Sequence, residues 1–397
     1  MPRTVPGEKL GRPLVWLMAV ATGLAVANNY YAQPLLADIG RDLHLPAGAS
    51  GLMVTVAQVG YAAGLVFLLP LGDLLDRRRL VVGLGVGTAA ALAWLAVSSS
   101  TPGLMAAAVA VGALSVQAQV LVPFAASLAA DEERGRVVGA VMSGLLLGIL
   151  LARTVAGSVA AAAGWRAVYG VAAAAMLAQS AALAVGLPRL KPTAGLRYPA
   201  ALASVVALLG DEPLLRRRCL YGALSFGGFS VLWTAMAFLL SGPPYHYGTA
   251  TIGLFGLAGA AGAVAANGAG RLADRGRADT VTMGACVVLG LSWLALWAGG
   301  RHLGALLLGI VTLDVAAQGL HITNQSLIYR LAPEARSRVT SAYMTCYFAG
   351  GAAGSALAAW AWSARRWPAV CLVGGGFGAA AAAVGLVSRP RAFTSLS

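Results

Sequence analysis

Two formally charged residues, Arg153 and Asp314, fall well inside long apolar runs of this 397-residue chain. A charge at bilayer depth costs about 3 kcal/mol even on insertion scales, so such residues mark routes for protons or solutes. Asp314, Gln318, His321 and Gln325 are spaced by four, three and four residues, which places them on one helical face. A carboxyl group whose distance from a guanidinium changes with conformation takes up and releases a proton as the protein moves. Asp314, Arg153 and His321 are therefore the proton-coupling candidates, and Gln318 and Gln325 are candidates for contact with a solute. A permanent Arg153–Asp314 pair, or separate pairs of each with backbone and amides, serving packing, is the alternative reading of the same residues.

Further polar groups cluster on other apolar runs. Asn29 and Gln33 share a face, Asn28 lies beside it, and Tyr30 and Tyr31 add amphipathic rings. Gln117 and Gln119 point in different directions, so one of them faces a cavity. Trp233 can stack on a ring or sugar face, or mark the edge of the membrane. Amides at this density either bind a hydroxylated or amphipathic solute or join helices to each other.

The elements that hold these residues follow from composition. Apolar residues make up 59% of the chain and charged residues only 11%, with 51 glycines. A soluble domain carries about 25% charged residues, so this chain cannot cover a water-facing surface. A helix needs about 20 residues to cross a bilayer. Runs of that size occur near 14–37, 49–71, 80–98, 103–129, 137–162 and 166–187, and again near 218–240, 250–269, 279–298, 303–328, 338–360 and 367–387. The prediction is an all-α membrane protein of 12 transmembrane helices in two six-helix halves. Residues 1–187 form the N-terminal half, 188–217 a cytoplasmic central loop and 218–397 the C-terminal half. Lipid cannot hydrogen-bond a backbone, so the Gly- and Ala-rich runs read as closely packed helices.

Of the 28 Lys and Arg, 22 fall in the gaps that alternate to one side, and five fall on the other. That bias puts both termini in the cytoplasm. Within the central loop, Tyr198–Leu209 reads as a short helix lying on the membrane surface, with Arg216, Arg217 and Arg218 at headgroup level. Net charge of +14 is explained by these loop clusters, which form no basic face for nucleic acid. The four cysteines have no short CxxC spacing, which offers neither a zinc site nor a redox pair.

Internal repetition supports the division. Gly72-Asp73-Leu74-Leu75-Asp76-Arg77-Arg78-Arg79 and Gly270-Arg271-Leu272-Ala273-Asp274-Arg275-Gly276-Arg277 both match G-x-x-x-D-R-x-R, six spans apart. Such duplication is the signature of a transporter whose halves meet around a central site.

From residue 14 to 387 the chain resembles the major facilitator superfamily. On Asn28-Asn29-Tyr30-Tyr31-Ala32-Gln33-Pro34-Leu35-Leu36, the Gly72–Arg79 loop and Gly164-Trp165-Arg166, it resembles that family's bacterial drug and sugar efflux branch of arabinose-efflux-like permeases. The resemblance implies alternating access around a cavity lined mainly by spans 1, 4, 7 and 10. It also implies a conformational latch at Gly72, Asp76 and Arg77, repeated at Gly270, Asp274 and Arg275. Two departures stand out: Arg79 replaces a usual Gly, and span 5 has Gly144, Gly148 and Gly157 but lacks the Gly-Pro pair of the antiporter motif.

No H-E-x-x-H, G-x-S-x-G or G-x-x-x-x-G-K-[ST] motif is present, so zinc hydrolysis, serine acyl transfer and ATP-driven pumping have no motif support. The expectation is a monomeric, lipid-embedded carrier of the bacterial inner membrane with no cofactor and no metal, driven by the proton gradient. It would export a small neutral or amphipathic molecule; proton-coupled uptake by symport and facilitated uniport of a metabolite such as a sugar stay open.

Overall fold

The computed structural model describes residues 10–130, 133–189, 198–259, 277–331 and 336–387, which are helical with no strand among them. Nine of their helices are long and apolar enough to cross a bilayer. One of these, Arg336–Val387, is two spans joined at Arg365 and Arg366, whose backbone is not helical, with Pro368 just inside the second. Three further spans are interrupted among the described residues. Span 1 consists of Arg12–Ala27 and Ala32–Asp42, span 4 of Thr101–Leu114 and Gln117–Leu128, and span 8 begins as Thr249–Leu254 followed by a 3₁₀ turn at Phe255–Gly259. The twelve-span expectation is met.

The break in span 1 has a local cause. Pro34 has no N–H for the carbonyl of Tyr30 and its ring crowds that carbonyl, so the helix is interrupted one turn earlier. The interruption turns Tyr30 and Gln33 inward, where both are buried. The remaining spans are span 2 (Ala47–Phe67), span 3 (Arg77–Val97), span 4 (Thr101–Leu114 and Gln117–Leu128), span 5 (Arg134–Ala163), span 6 (Trp165–Gly186), span 7 (Pro213–Ser241), span 9 (Ala278–Ala298) and span 10 (Leu303–Leu331). Tyr198–Asp211 forms the short helix expected of the central loop, and the Tyr198 hydroxyl donates to the carbonyl of Phe67 at 2.8 Å.

Trp16, Leu294 and Trp360 are among many large apolar side chains more than half exposed on the outside of the bundle. Such a surface suits lipid and not water. Inside, small residues allow backbones to touch: a Cβ on Gly23 of span 1 would stand 2.6 Å from the carbonyl oxygen of Gly144 in span 5. The expected glycines of span 5 divide their work. Gly144 and Gly148 abut span 1, whereas Gly157 abuts span 8 in the other half.

The halves join along two seams. Span 2 packs on span 11, where Thr55 and Ser355 share a hydroxyl hydrogen bond of 2.9 Å and Ser341 donates to the Leu65 carbonyl at 3.0 Å. Span 5 packs on span 8, where Thr154 donates to the Gly253 carbonyl at 3.1 Å. The duplication reaches into the turns: His44 and His246, each between the first two spans of its half, both hold left-handed backbone at φ 53° and 51°. Gly164 (φ 82°) gives the tight turn into span 6, where a side chain would be strained.

That turn presents Trp165 and Arg166 to Asp42 at the end of span 1. Trp165 Nε1 donates to Asp42 at 3.1 Å, Arg166 forms an ion pair with the same carboxylate, and Arg166 also reaches the Ser98 carbonyl at 3.3 Å. These bonds hold the Asp42 carboxyl below its ordinary value of 3.8. A depressed acid contributes stability above its unfolded value and loses it as pH falls through the lower folded value. Asp42→Asn is therefore expected to unfold at a lower temperature than wild type at neutral pH. That gap should close as the pH is taken well below 3.8, as read by thermal unfolding in detergent.

Candidate functional site

Arg153 projects from span 5 into the place where spans 1, 7, 8 and 10 converge. Its residue is 3% exposed, and its guanidinium carbon lies 3.8 Å from the ring centre of Trp233, 4.9 Å from that of Tyr30 and 5.7 Å from that of Phe229. Arg153 Nε donates to Gln33 Oε1 at 2.6 Å. Beyond Trp233 lies Asp314, also 3% exposed, whose Oδ1 accepts a 3.3 Å hydrogen bond from the indole Nε1. The indole touches both charges, with the guanidinium over its ring and the carboxylate on its Nε1. Among the described residues no ion pair joins Arg153 to Asp314; Arg153 bonds an amide and Asp314 an indole, the separate-pair form of the packing alternative. Arg153 Nη2 is buried without a hydrogen-bond partner.

Glycine makes the room. A Cβ on Gly256 would lie 2.9 Å from Arg153 Cβ, and one on Gly259 would lie 2.6 Å from Asp314 Oδ2. Gly253, Gly256 and Gly259 recur every third residue at the start of span 8, which forms one glycine face toward the two charges. Spans 5 and 8 thus join spans 1, 7 and 10 of the expected lining around the two charges.

The other candidates divide. Gln33 and Trp233 belong to the centre. Asn29 lies near it in sequence, with its Nδ2 buried and unpartnered. Asn28 instead faces span 6, donating to the Ala25 carbonyl at 3.3 Å and toward Met176 Sδ at 3.6 Å. Gln117 is buried inside the N-terminal half, bonded to the Val81 carbonyl at 2.9 Å and to Gln179 at 2.9 Å, away from the centre. Gln119 reaches the Tyr61 hydroxyl at 3.3 Å, and Tyr61 packs on Phe348 of the other half, with ring centres 4.1 Å apart. The two amides thus point in different directions, Gln117 into its own half and Gln119 toward the interface.

On span 10, Asp314 is buried while Gln318, His321 and Gln325 are half-buried along the same face. His321 Nδ1 shares a 3.0 Å hydrogen bond with the Tyr343 hydroxyl, and its ring lies 4.6 Å from that of Tyr347. Tyr347 stacks on Phe226 at 4.1 Å, Phe226 on Phe229 at 5.5 Å, and Phe229 meets Trp233 at 5.9 Å. One aromatic wall of the C-terminal half therefore runs from His321 to the Arg153 seat. Sequence reading missed Phe226, Phe229 and the glycine face of span 8, although the three-residue glycine spacing was visible.

At the latch, Asp76 caps span 3, its Oδ1 accepting from the backbone N–H of Arg78 at 2.9 Å and of Arg79 at 3.4 Å. Arg77 donates to the Gly72 carbonyl and to Ser127 of span 4, each at 3.1 Å. A Cβ on Gly72 would make only ordinary 3.7 Å contacts, so no close approach requires glycine there. Gly270, Asp274 and Arg275 lie outside the described residues. A separate cavity of about 610 Å³ opens at the other end of the bundle, with Asp38, Arg41, His44, His246 and Arg366 in its lining.

Many apolar spans in two halves with buried charges at their junction are the pattern of a membrane transporter. Residues 18–355 match the Major Facilitator Superfamily model, and the chain belongs to that family. It is 50% identical over 371 residues to the "Uncharacterized transporter YgaY" of Escherichia coli O157:H7, covering 94% of each chain. It is 27% identical to the "Chloramphenicol resistance protein" of Streptomyces lividans, covering 71% of this chain and 72% of that one. In fold it is similar to an inward-facing, occupied bacterial homologue of the human lysosomal transporter Spinster, with TM-score 0.77, 13% identity and coverage of 94% and 96%.

Gly259→Ala should push Asp314 off the indole and lower stability by about 1–3 kcal/mol, the usual cost of overpacking. Gly170→Ala, where a Cβ would meet open space, should leave stability unchanged. Thermal unfolding of the two variants in detergent checks the difference.

Proposed function

We propose that this transporter exports a small neutral or amphipathic molecule in exchange for protons, by alternating access, with both termini in the cytoplasm of a bacterial inner membrane. The observation that carries the reading is the Arg153–Trp233–Asp314 arrangement, in which buried charges from the two halves contact one indole and form no direct ion pair. Gln33 and Arg153 come from the N-terminal half, and Trp233 and Asp314 from the C-terminal half. Relative motion of the halves changes the separation of the guanidinium and the carboxyl, and with it the affinity of Asp314 for a proton. A group that must ionise in one state and not in the other couples proton entry to that motion.

Two further observations support this reading. The aromatic wall of Phe226, Phe229, Trp233 and Tyr347 suits an amphipathic solute with a flat apolar part. The Streptomyces lividans relative is named for resistance to chloramphenicol, which makes export of an amphipathic compound the natural first assay. The proton gradient is the proposed energy source.

The test is a panel of amphipathic compounds, chloramphenicol included, assayed for transport in proteoliposomes under an imposed pH gradient. Transport of the carried compound should collapse when the gradient is dissipated. Asp314→Asn should keep downhill exchange while losing gradient-driven accumulation by at least tenfold. Gradient-independent transport together with unaltered accumulation by Asp314→Asn would sink the proposal.

A further inference from the structure

The unpartnered Nη2 of Arg153 has a consequence for what the protein carries. Burying a guanidinium is costly, and ring faces offset the lost hydration without supplying hydrogen-bond acceptors in the plane of the group. Gln33 satisfies Nε alone, and the one carboxylate nearby is bound to the indole instead. Trp233, Tyr30 and Phe229 surround the guanidinium with ring faces, which offer no further strong acceptor to Nη2. Buried polar groups in folded proteins almost always have partners, and an orphan in a functional centre points to a missing ligand.

We propose that Arg153 is the substrate-reading residue of the central site. It donates through Nη2 to an acceptor oxygen on a planar aromatic molecule whose ring lies along the Phe226–Phe229–Trp233 wall. This deepens the transport reading above and rests on it. The class is narrowed further by charge. With Arg153 and Asp314 both ionised, the seat is neutral overall, so a carbonyl oxygen binds without penalty. A carboxylate gains a stronger hydrogen bond from Arg153 but is repelled by Asp314, and an ammonium group is repelled by Arg153 itself. The favoured substrate is therefore an uncharged aromatic amide or ketone.

The test uses four probes that share one ring system: 2-naphthamide, 2-naphthoate, 2-naphthylmethylamine and 2-methylnaphthalene. Each is titrated by isothermal calorimetry into the full-length protein in detergent. Blank titrations into protein-free micelles of the same detergent correct for partition. In wild type, 2-naphthamide should bind at least tenfold more tightly than 2-methylnaphthalene, about 1.4 kcal/mol, and more tightly than the amine. Arg153→Met should abolish that advantage. Asp314→Asn should raise the affinity for 2-naphthoate relative to that for 2-naphthamide about tenfold.

Equal affinities for the amide and the methyl compound in wild type would overturn the proposal, and this arm needs no variant to fold. Preference for the amine would overturn it as well, as would an Asp314→Asn protein whose naphthoate-to-naphthamide ratio equals that of wild type. These titrations use no proton gradient, so they fail or succeed separately from proton coupling. Loss of coupling with the ligand ranking intact would leave the assignment of Arg153 standing.

Discussion

The cost of holding a guanidinium inside an apolar bundle organises the centre of this protein. Arg153 is long enough to reach water only near a helix end, and it lies in the body of a 30-residue helix. Its charge must therefore be met by neighbours, and these come from four other spans: the Gln33 amide from span 1, the Trp233 and Phe229 rings from span 7, the carboxyl of Asp314 from span 10 and the glycine face of span 8. Several features that look independent follow from that need. Pro34 breaks span 1 so that Gln33 turns inward, and Gly256 and Gly259 keep span 8 bare so that two charged side chains fit beside it. Had either been a bulkier choice, the charges would have lost their seat before any question of transport arose.

The two halves solve the same end-of-helix problem with different residues. In the N-terminal half Asp76 caps span 3, and the guanidinium of Arg78 closes the other end of span 6, donating to the Leu187 carbonyl at 3.0 Å and to the Ala184 carbonyl. In the C-terminal half the buried Arg218 at the start of span 7 donates to Thr282 at 2.9 Å and to Asp279 at 3.3 Å, both in the first turns of span 9. Each device places a positive group on carbonyls or an acid near the same membrane face, which satisfies backbone or carboxylate groups that lipid cannot. Duplication has kept the physical task while the side chains that perform it have diverged.

The architecture was legible in the sequence because the bilayer imposes a length on every apolar run, and because loop charges alternate. The surface helix at Tyr198–Asp211 was readable for the same reason. Arg153 and Asp314 were readable as the costly residues. Their relation was not, since helical periodicity fixes the face of a residue on its own span and says nothing about which neighbour that face meets. Gln117 shows the limit: on sequence it is equivalent to Gln119, yet it bonds to Val81 and Gln179 within its half, whereas Gln119 turns toward Tyr61 at the interface. Asn28 likewise faces Met176 and not the centre. The aromatic wall was hidden because Phe226 and Phe229 sit in an apolar run where any phenylalanine looks like lipid-facing or core packing. Only tertiary contact distinguishes them.

The contacts that cross between the halves differ in kind from those inside each half, and the difference bears on how the proposed motion would proceed. The His321–Tyr347–Phe226–Phe229–Trp233 series lies wholly within the C-terminal half, and so does the bond from Trp233 to Asp314. The crossing contacts include Arg153 on the Trp233 ring, Tyr61 on Phe348, Gln58 to Ser230 at 3.3 Å, Thr55 with Ser355, Ser341 to the Leu65 carbonyl and Thr154 to the Gly253 carbonyl. If the halves part as rigid bodies, the carboxyl keeps its indole while the guanidinium keeps its amide. What is lost is the proximity of opposite charges. Asp314 would then stay on its stacked aromatic scaffold in every state, and Arg153 would be the member that approaches and withdraws. The incomplete antiporter pattern in span 5 is consistent with that division: the usual Gly-Pro pair is missing from the span that carries the moving charge, and Gly144 and Gly148 lock that span to span 1, so that Arg153 and Gln33 travel together.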